Sequence, residues 1–263
     1  MSKNSQPYII QFLAYFTLFW LIGGASATSF LIVFILYCVA LVIAFMNLIE
    51  SIWRTINAVR PLRLKSEKER LMPLFREIYR IATKHNPKIN RKIKLYISED
   101  VEINACAFGR YTMVITRGSI EFLSDEAIKG LLAHEFGHFS NSDTTLRLFS
   151  TVSNLFLSFL IQRYHQLIKA TDNIVAKFIL TLVFAVPLAV NAISDLVLLE
   201  VGRKQEYMAD TFAVDIGYGA ELAGVLIGLY QSSFGKPKSL QEQLNSTHPP
   251  ITRRIELIED EIY

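Results

Sequence analysis

The chain has 263 residues, of which 51% are hydrophobic and 19% are charged, and its mean hydropathy is +0.31. Such an apolar composition is unusual for a soluble domain and is typical of a membrane protein. The formal net charge of +3 argues against a nucleic-acid-binding protein, and the two cysteines indicate neither a disulfide framework nor a metal site.

Two uncharged apolar segments open the chain. Residues 8–24 contain Gln11 as their one strongly polar side chain, and residues 25–49 contain no charge. Since about 20 apolar residues cross the hydrocarbon core of a bilayer, residues 1–49 are predicted to form a transmembrane hairpin. A signal peptide is disfavoured, because the basic region before the apolar run is only Lys3 and a second apolar run follows at once.

A run of basic residues follows this hairpin. It comprises Arg54, Arg60, Arg63, Lys65, Lys68 and Arg70. Basic residues flanking membrane segments are enriched on the cytoplasmic side. The sequence therefore predicts that the chain after residue 50 faces the cytoplasm.

Residues 50–147 have the pattern of a soluble domain and form the first part of the predicted catalytic domain. Apolar residues recur with helical spacing over 66–84, and residues 92–97 alternate like a strand. Residues 105–108 and 112–116 are predicted to pair as a hairpin around a Gly-Arg-Tyr turn.

A complete H-E-x-x-H pentapeptide, His134-Glu135-Phe136-Gly137-His138, follows these strands. Ser124 precedes it as a helix-capping candidate, so the motif is predicted to lie on a helix. On a helix the two histidines share one face and can bind one zinc ion, with Glu135 beside the open position of the metal.

Two further apolar stretches lie within residues 148–195. Residues 148–161 are short for a membrane span, and residues 178–194 contain Pro187. The basic segment between them would lie outside if both stretches crossed the membrane, against the usual charge bias. Four spans in the whole chain and a re-entrant or partly embedded helical pair both remain open.

The third zinc ligand is not supplied by the extended motif H-E-x-x-H-x-x-G-x-x-H. That motif would place Gly at position 141 and His at position 144, where this chain has Asn141 and Thr144. An acidic residue on a second helix is the better candidate, since a catalytic zinc has three protein ligands and one open position.

Residues 196–263, the second part of the predicted catalytic domain, offer such acids. Glu206 and Asp210 are four residues apart and share a helix face. Glu206 can ligate zinc, and Asp210 can accept a hydrogen bond from the second ring nitrogen of a ligand histidine. The alternative is a solvated acidic face paired with Arg203 and Lys204.

Four motifs in order resemble the HtpX family of membrane zinc metalloproteases, which is related to the CAAX prenyl endopeptidases. They are Asn104-Ala-Cys-Ala-Phe-Gly, Leu-Ala-His134-Glu-Phe-Gly-His138, Glu206-Tyr-Met-Ala-Asp210, and Thr-His248-Pro-Pro with Arg254-Ile. The resemblance covers essentially the whole chain. Cys106 stands where the family more often has Phe, and it is expected to pack rather than react.

The resemblance implies a mainly α, multi-pass membrane protein with a zincin-type (gluzincin) catalytic domain that contains a small β-sheet. It implies one Zn2+ per chain, bound by His134, His138 and Glu206, with Glu135 as general base. It places Asn104 against the substrate backbone, and His248 and Arg254 beside the oxyanion or the substrate carbonyl. An extended substrate is expected to add a strand to the sheet edge near Asn104 or residues 112–116.

The function that the resemblance implies is zinc-dependent cleavage of polypeptides at the cell membrane in membrane protein quality control, with misfolded or membrane proteins as substrates and the lipid bilayer as a further partner. No nucleic-acid partner is expected, and the oligomeric state is left open. Two alternatives are a CAAX-type prenyl-peptide protease, for which the chain is short, and an inert zinc-stabilised membrane scaffold or regulatory subunit. A purely structural zinc site does not need Glu135 and usually has four protein ligands. A small transporter is disfavoured because charge within the apolar segments is essentially limited to Asp195.

Overall fold

The structure, a computed structural model, describes residues 6–22, 24, 26–44, 47–232 and 249–262. In chain order its elements are α1 (Gln6–Ile22), α2 (Ala27–Ala44), α3 (Asn47–Ile56), β1 (Arg60–Pro61), α4 (Lys65–His85), β2 (Lys94–Ser98), β3 (Ala105–Phe108), β4 (Thr112–Thr116), α5 (Arg117–Phe122), α6 (Asp125–Ser140), α7 (Asp143–Ala170), α8 (Ile174–Asp215), α9 (Gly219–Ser232) and α10 (Ile251–Ile262). The predicted mainly helical fold with a small β-sheet is confirmed.

The chain forms two compact units. The first contains Met1–Met46 and Leu146–Val201, and the second contains Asn47–Thr145 and Gly202–Tyr263. Among the described residues one helix, α8, is long and apolar enough to cross a membrane by its length and composition. Pro187 lies inside this helix without ending it. The division of the chain into four segments, made from the sequence, stays a prediction.

The first unit has a small core of its own. Tyr15, Phe19, Tyr37 and Leu157 are buried together. Gln11, the polar side chain of the first apolar segment, is also buried, where it donates to the Tyr15 hydroxyl at 3.2 Å and accepts from Ser150 Oγ at 2.6 Å. Its polar atoms are therefore satisfied, as burial of an amide requires.

The second unit is built on a four-stranded sheet in the order β1-β2-β4-β3. Strand β4 pairs in parallel with β2 and antiparallel with β3, with Ala105 opposite Ile115 and Phe108 opposite Thr112. The predicted hairpin of residues 105–108 and 112–116 is thus confirmed. Met113 and Ile115 of β4 are fully buried in a core that α4, α6 and α9 share.

The central place of β4 corrects one expectation about substrate binding. Both edges of β4 are already paired, so a substrate strand cannot add to residues 112–116. The outer edge of the sheet on this side belongs to β3, which follows Asn104. Only the alternative near Asn104 is compatible with the sheet.

The carboxylate of Glu67 connects α4 to the rest of the second unit. It accepts bonds from Arg60 Nη2 at 2.6 Å and Arg117 Nη2 at 3.0 Å, and from the backbone N–H groups of Arg63 and Leu64. Its side chain is 4% exposed. The hydrogen bonds from Arg60 first, and then from Arg117 and the backbone, outweigh burial and hold the pKa of Glu67 well below its usual range.

We expect Glu67→Gln to lower the free energy of unfolding by about 2 kcal/mol near neutral pH, because a buried charge-assisted network loses its shared acceptor. Since the pKa of Glu67 is depressed in the folded state, the stability that the carboxylate contributes is present above its unfolded-state pKa of about 4.3 and is lost as the pH falls through and below that value. Thermal unfolding of the detergent-solubilised protein at neutral and acidic pH measures both effects.

Glu69→Gln is the matched control for this prediction. Glu69 lies on the same helix but is 65% exposed, and its oxygen is 3.6 Å from Lys65 Nζ. Exposed pairs of this kind contribute about 0.5 kcal/mol or less. Equal destabilisation by the two variants would contradict the role assigned to Glu67.

Candidate metal centre

Helix α6 holds the H-E-x-x-H motif as the sequence predicts. Ser124 caps it by accepting from the Ala127 N–H at 3.2 Å. Because His134 and His138 are one turn apart, their rings lie on one face with centroids 4.9 Å apart. Both side chains are buried.

Gly137 allows α8 to approach this face of α6. A Cβ atom at position 137 would lie 2.7 Å from the Ala209 Cα, closer than packing permits. The absence of a side chain at Gly137 therefore lets the two helix backbones meet. Glu206 and Asp210, on either side of Ala209, are brought against the two histidines.

The side chains of His134, His138 and Glu206 form a cluster that could hold a metal ion. One ligand atom from each lies within 4.8 Å of the others, and all three residues are buried. His134 Nε2 is 3.6 Å from Glu206 Oε2, and His138 Nε2 is 3.5 Å from Glu206 Oε1. Ligand atoms about 2.0–2.1 Å from a tetrahedral zinc would be about 3.4 Å apart. The spacing of these donors therefore fits zinc.

The other ring nitrogen of each histidine faces a carboxylate. His134 Nδ1 is 2.9 Å from Asp210 Oδ1, and His138 Nδ1 is 3.2 Å from Asp143 Oδ2. Carboxylates that bind Nδ1 in this way orient a histidine and leave Nε2 available to a metal. Asp210 is in the place expected from the sequence.

Asp143 is a residue that the sequence reasoning missed. It is fully buried at the start of α7, and Ser142 before it has a φ of +63°. The sequence does show an acidic residue shortly after the last histidine of the motif. Whether its side chain faces that histidine depends on the turn that separates α6 from α7.

Arg254 of α10 completes the surroundings of His134. Its Nε and Nη2 atoms donate to the two oxygens of Asp210, each at 2.7 Å. Its Nη1 atom lies 3.6 Å from Glu206 Oε2. Burial alone would raise the pKa of Asp210, but the bonds from Arg254 and His134 outweigh it and keep that pKa below its usual value. The carboxylate of Asp210 is therefore ionised and fixed in orientation.

The electrostatics of the site favour a bound cation. Burial lowers the pKa of His134, but the carboxylates of Asp210 and Glu206 outweigh burial and raise it to about 10. The same carboxylates that stabilise a protonated imidazole would stabilise a divalent ion in its place. The donor set, two imidazoles and one carboxylate, is one that binds catalytic zinc.

Of three other residues predicted from the sequence, the structure describes Glu135 and Asn104. Glu135 is buried directly after the first histidine. Asn104 is exposed just before β3, where its backbone N–H donates to Thr116 Oγ1 at 3.0 Å. His248 lies outside the described residues. The roles of Asn104, His248 and Arg254 towards substrate stay predictions.

Cys106 of β3 lies partly buried near Glu135. Burial, and secondarily the negative charge of Glu135, raise the pKa of the Cys106 thiol to about 12. The thiol is therefore protonated near neutral pH. This agrees with the expectation that it packs rather than reacts.

We expect Asp143→Asn to weaken zinc binding by about 10- to 100-fold, because His138 loses the carboxylate that orients its ring. Competition with a chelator of known zinc affinity measures the change. Asp172→Asn, in the exposed loop between α7 and α8, is the control. Zinc affinity that is the same in both variants would show that Asp143 does not position the ligand.

The fold and the site together define a zinc metalloprotease with a histidine pair on one helix and a glutamate ligand on another. The family model of Peptidase family M48 matches residues 66–262, and the chain belongs to this family. The motifs indicated a resemblance to HtpX proteases, and proteins of similar sequence confirm it.

A protease HtpX homolog of Bacteroides fragilis is 30% identical over 244 residues, which cover 80% of this chain and 74% of that protein. A CAAX prenyl protease 1 homolog of Caenorhabditis elegans is 28% identical over 145 residues, 51% of this chain and 32% of that protein. The crystal structure of S. mikatae Ste24p has a similar fold, with a TM-score of 0.58 and 17% identity. That match covers 96% of this chain and spans 66% of the Ste24p chain.

Proposed function

We propose that the chain is a membrane endopeptidase that uses one zinc ion, held by His134, His138 and Glu206, to hydrolyse peptide bonds in misfolded or membrane proteins as part of membrane protein quality control. The observation that carries this proposal is the buried cluster of three ligand atoms, with Glu135 on the same helix turn. When bound, zinc would supply a Lewis acid that lowers the pKa of water to about 7 and polarises a carbonyl.

Glu135 is assigned as the general base. Its carboxylate accepts the proton of the attacking water and later delivers it to the leaving amine. Its position between the two histidines along α6 gives it access to the same site without making it a ligand of the cluster. His248 and Arg254 are assigned as hydrogen-bond donors to the developing oxyanion.

Arg254 has a second assignment that its contacts support more directly. Its two bonds to Asp210 hold the carboxylate that in turn holds His134 Nδ1. Arg254 is therefore a positioning residue for the metal site, and its remaining Nη1 atom lies 3.6 Å from Glu206 Oε2.

Substrate binding is assigned to the edge of β3. A polypeptide in extended conformation can pair with a free strand edge through main-chain hydrogen bonds, which select little for sequence. Helix α6 packs against β3, so a strand added there would run beside the H-E-x-x-H helix. Asn104, which is exposed just before β3, is assigned to contact such a substrate.

We also propose that the protein is a multi-pass protein of the cell membrane whose catalytic domain faces the cytoplasm. Large apolar side chains are exposed along α1, α2 and α8, such as Leu13, Phe34 and Leu182. Side chains of this kind are stable when they face lipid. The basic residues that follow α2 support the cytoplasmic orientation.

Metal content and casein cleavage after detergent extraction test the proposal. A zinc-dependent protease binds zinc, cleaves an unfolded substrate and loses the activity on chelation. A zinc-stabilised scaffold would bind zinc without cleavage, and a transporter would need neither. Proteomic comparison of membranes containing the wild type or Glu135→Gln would then identify trapped substrates.

A further inference from the structure

A second site lies in the catalytic unit, between α3 and the outward face of β2. Here a cavity of about 200 Å³ is lined by Glu50, Arg54, Lys92, Lys94, Tyr96 and Tyr111. Such a volume corresponds to about seven water molecules of liquid, at about 30 Å³ each, so a small polar group such as a phosphate fits in it. None of these residues belongs to the metal centre.

The cavity carries unbalanced positive charge. Lys92 and Lys94 are exposed and have no ion-pair partner in the part of the chain that the structure describes. The Arg54 guanidinium lies 4.6 Å above the Tyr96 ring, and its Nη1 atom donates to the Thr112 hydroxyl at 2.7 Å. These contacts fix the position of Arg54 without neutralising it.

Glu50 is the one carboxylate among the described residues that line the cavity, and its oxygens already accept hydrogen bonds from neutral donors. It is buried and accepts from the backbone N–H groups of Arg110 at 2.6 Å and Tyr111 at 3.2 Å, and from Thr112 Oγ1 at 2.7 Å. Gly109 leaves room for it, since a Cβ there would lie 2.5 Å from the carboxylate. Glu50 therefore stabilises the β3–β4 turn. The side chains of Arg54, Lys92 and Lys94 together carry more positive charge than this one carboxylate can balance.

The site also offers neutral hydrogen-bond donors. Among the described residues, the hydroxyls of Tyr96 and Tyr111 have no hydrogen-bond partner. Ammonium, guanidinium and phenol groups that converge on one cavity are complementary to a phosphate oxyanion.

Helix α3, which lines this cavity, directly follows the apolar N-terminal helices in the chain. It begins at Asn47, shortly after α2 ends at Ala44. Its Glu50 and Arg54 face the cavity, whereas Ile52 and Ile56, on the opposite side, are 44% and 77% exposed. A helix with exposed apolar residues next to a membrane segment and cationic residues nearby is typical of the bilayer interface.

We propose that this cavity binds the phosphate of an anionic phospholipid headgroup, with Lys92, Lys94 and Arg54 as the charged donors. A lipid is favoured over free phosphate because the exposed isoleucines of α3 provide an apolar surface for acyl chains beside the polar site. The inference rests on the proposed membrane location and is independent of the assignment of the catalytic residues.

The test is retention of phosphatidylglycerol by the full-length protein in detergent, titrated and measured by native mass spectrometry. Near an anionic lipid each basic residue contributes about 1 kcal/mol, so Lys92→Gln/Lys94→Gln should weaken retention by at least about tenfold. Lys84→Gln/Lys88→Gln is the matched control, because it removes the same charge from exposed positions outside the cavity. Zinc content and unfolding temperature should be unchanged in both variants.

Two comparisons separate the possible ligands. Phosphatidylcholine, which carries a phosphate but no net charge, should be retained more weakly than phosphatidylglycerol. Ile56→Gln should weaken retention of phosphatidylglycerol but not the binding of inorganic phosphate. Equal retention of phosphatidylglycerol by both lysine variants, or equal retention of the two lipids, would overturn the proposal. The assignment of the ligand as a lipid would be overturned if inorganic phosphate displaces phosphatidylglycerol and Ile56→Gln does not change the retention of phosphatidylglycerol.

Discussion

Glu135→Gln is expected to retain zinc and to lose peptide cleavage by about 10²- to 10⁴-fold, the usual contribution of a general base. Glutamine has nearly the same shape as glutamate, so the packing of α6 should be preserved. The cluster of donor atoms consists of His134, His138 and Glu206 and does not include position 135. The amide differs from the carboxylate chiefly in that it cannot accept a proton from water.

The measurement combines metal analysis with cleavage of casein by the detergent-extracted protein. Glu126→Gln is the matched control on the same helix. Glu126 is exposed in the first turn of α6, where its Oε1 atom lies 3.1 Å from Lys129 Nζ. Loss of such a surface pair should change activity by less than about twofold.

The pair of variants distinguishes catalysis from folding. Loss of cleavage with zinc retained supports the role of Glu135 as base. Loss of both would indicate that position 135 supports the metal site rather than the chemistry. Cleavage that remains zinc-dependent in Glu135→Gln would rule out its assignment as general base.

The metal ligands could be predicted from the sequence because each signal is local. Two histidines one turn apart, with a capping serine ahead of them, determine both the helix and the shared face. Glu206 and Asp210 repeat the same spacing on α8. The contact between α6 and α8 is the one non-local part of this prediction, and it was inferred from the family resemblance.

Asp143 shows where local reasoning stops. Its spacing from His138 matches no single-helix pattern, because α6 ends at Ser140 and the chain turns through Ser142 before α7 begins. A positive φ at a serine cannot be read from helix periodicity. The carboxylate reaches His138 from a different helix.

The long helices show a second limit of prediction from local sequence patterns. The sequence indicated an apolar segment at 178–194 that contains Pro187, and a boundary after residue 195 where the second part of the catalytic domain begins. The structure instead has one continuous helix, α8. Proline removes only one backbone donor, and Asp195 accepts from Asn191 Nδ2 at 2.8 Å, so neither residue has to end the helix.

The order of the strands in the sheet shows a third limit of prediction from local sequence patterns. The β3–β4 hairpin was predictable because its strands are joined by a short turn. The parallel pairing of β2 with β4, which places β4 in the centre, joins strands that are not consecutive. No local pattern distinguishes a central strand from an edge strand in so small a sheet, and the expected substrate edge was ambiguous for that reason.

Glu206→Gln is expected to reduce zinc affinity by at least about 100-fold, the upper end of what loss of an outer hydrogen-bonding partner causes. The substitution preserves the side-chain volume but replaces an anionic ligand by a neutral amide. It also leaves the positive charge of Arg254, whose Nη1 atom is 3.6 Å from Glu206 Oε2, without the carboxylate that helps to balance it. Both effects disfavour a divalent cation between His134 and His138.

Competition with a chelator of known affinity measures this change, and Asp215→Asn is the control. Asp215 lies at the end of the same helix but is exposed and outside the cluster. Because Glu206 supplies a ligand directly whereas Asp143 acts through His138, Glu206→Gln should weaken zinc binding more than Asp143→Asn. If zinc affinity is unchanged in Glu206→Gln, the third ligand must come from elsewhere in the chain, and the reading of α8 as the second half of the metal site is wrong. If the two variants lose affinity equally, orientation of the imidazoles, rather than the charge of the glutamate, controls the binding of the metal.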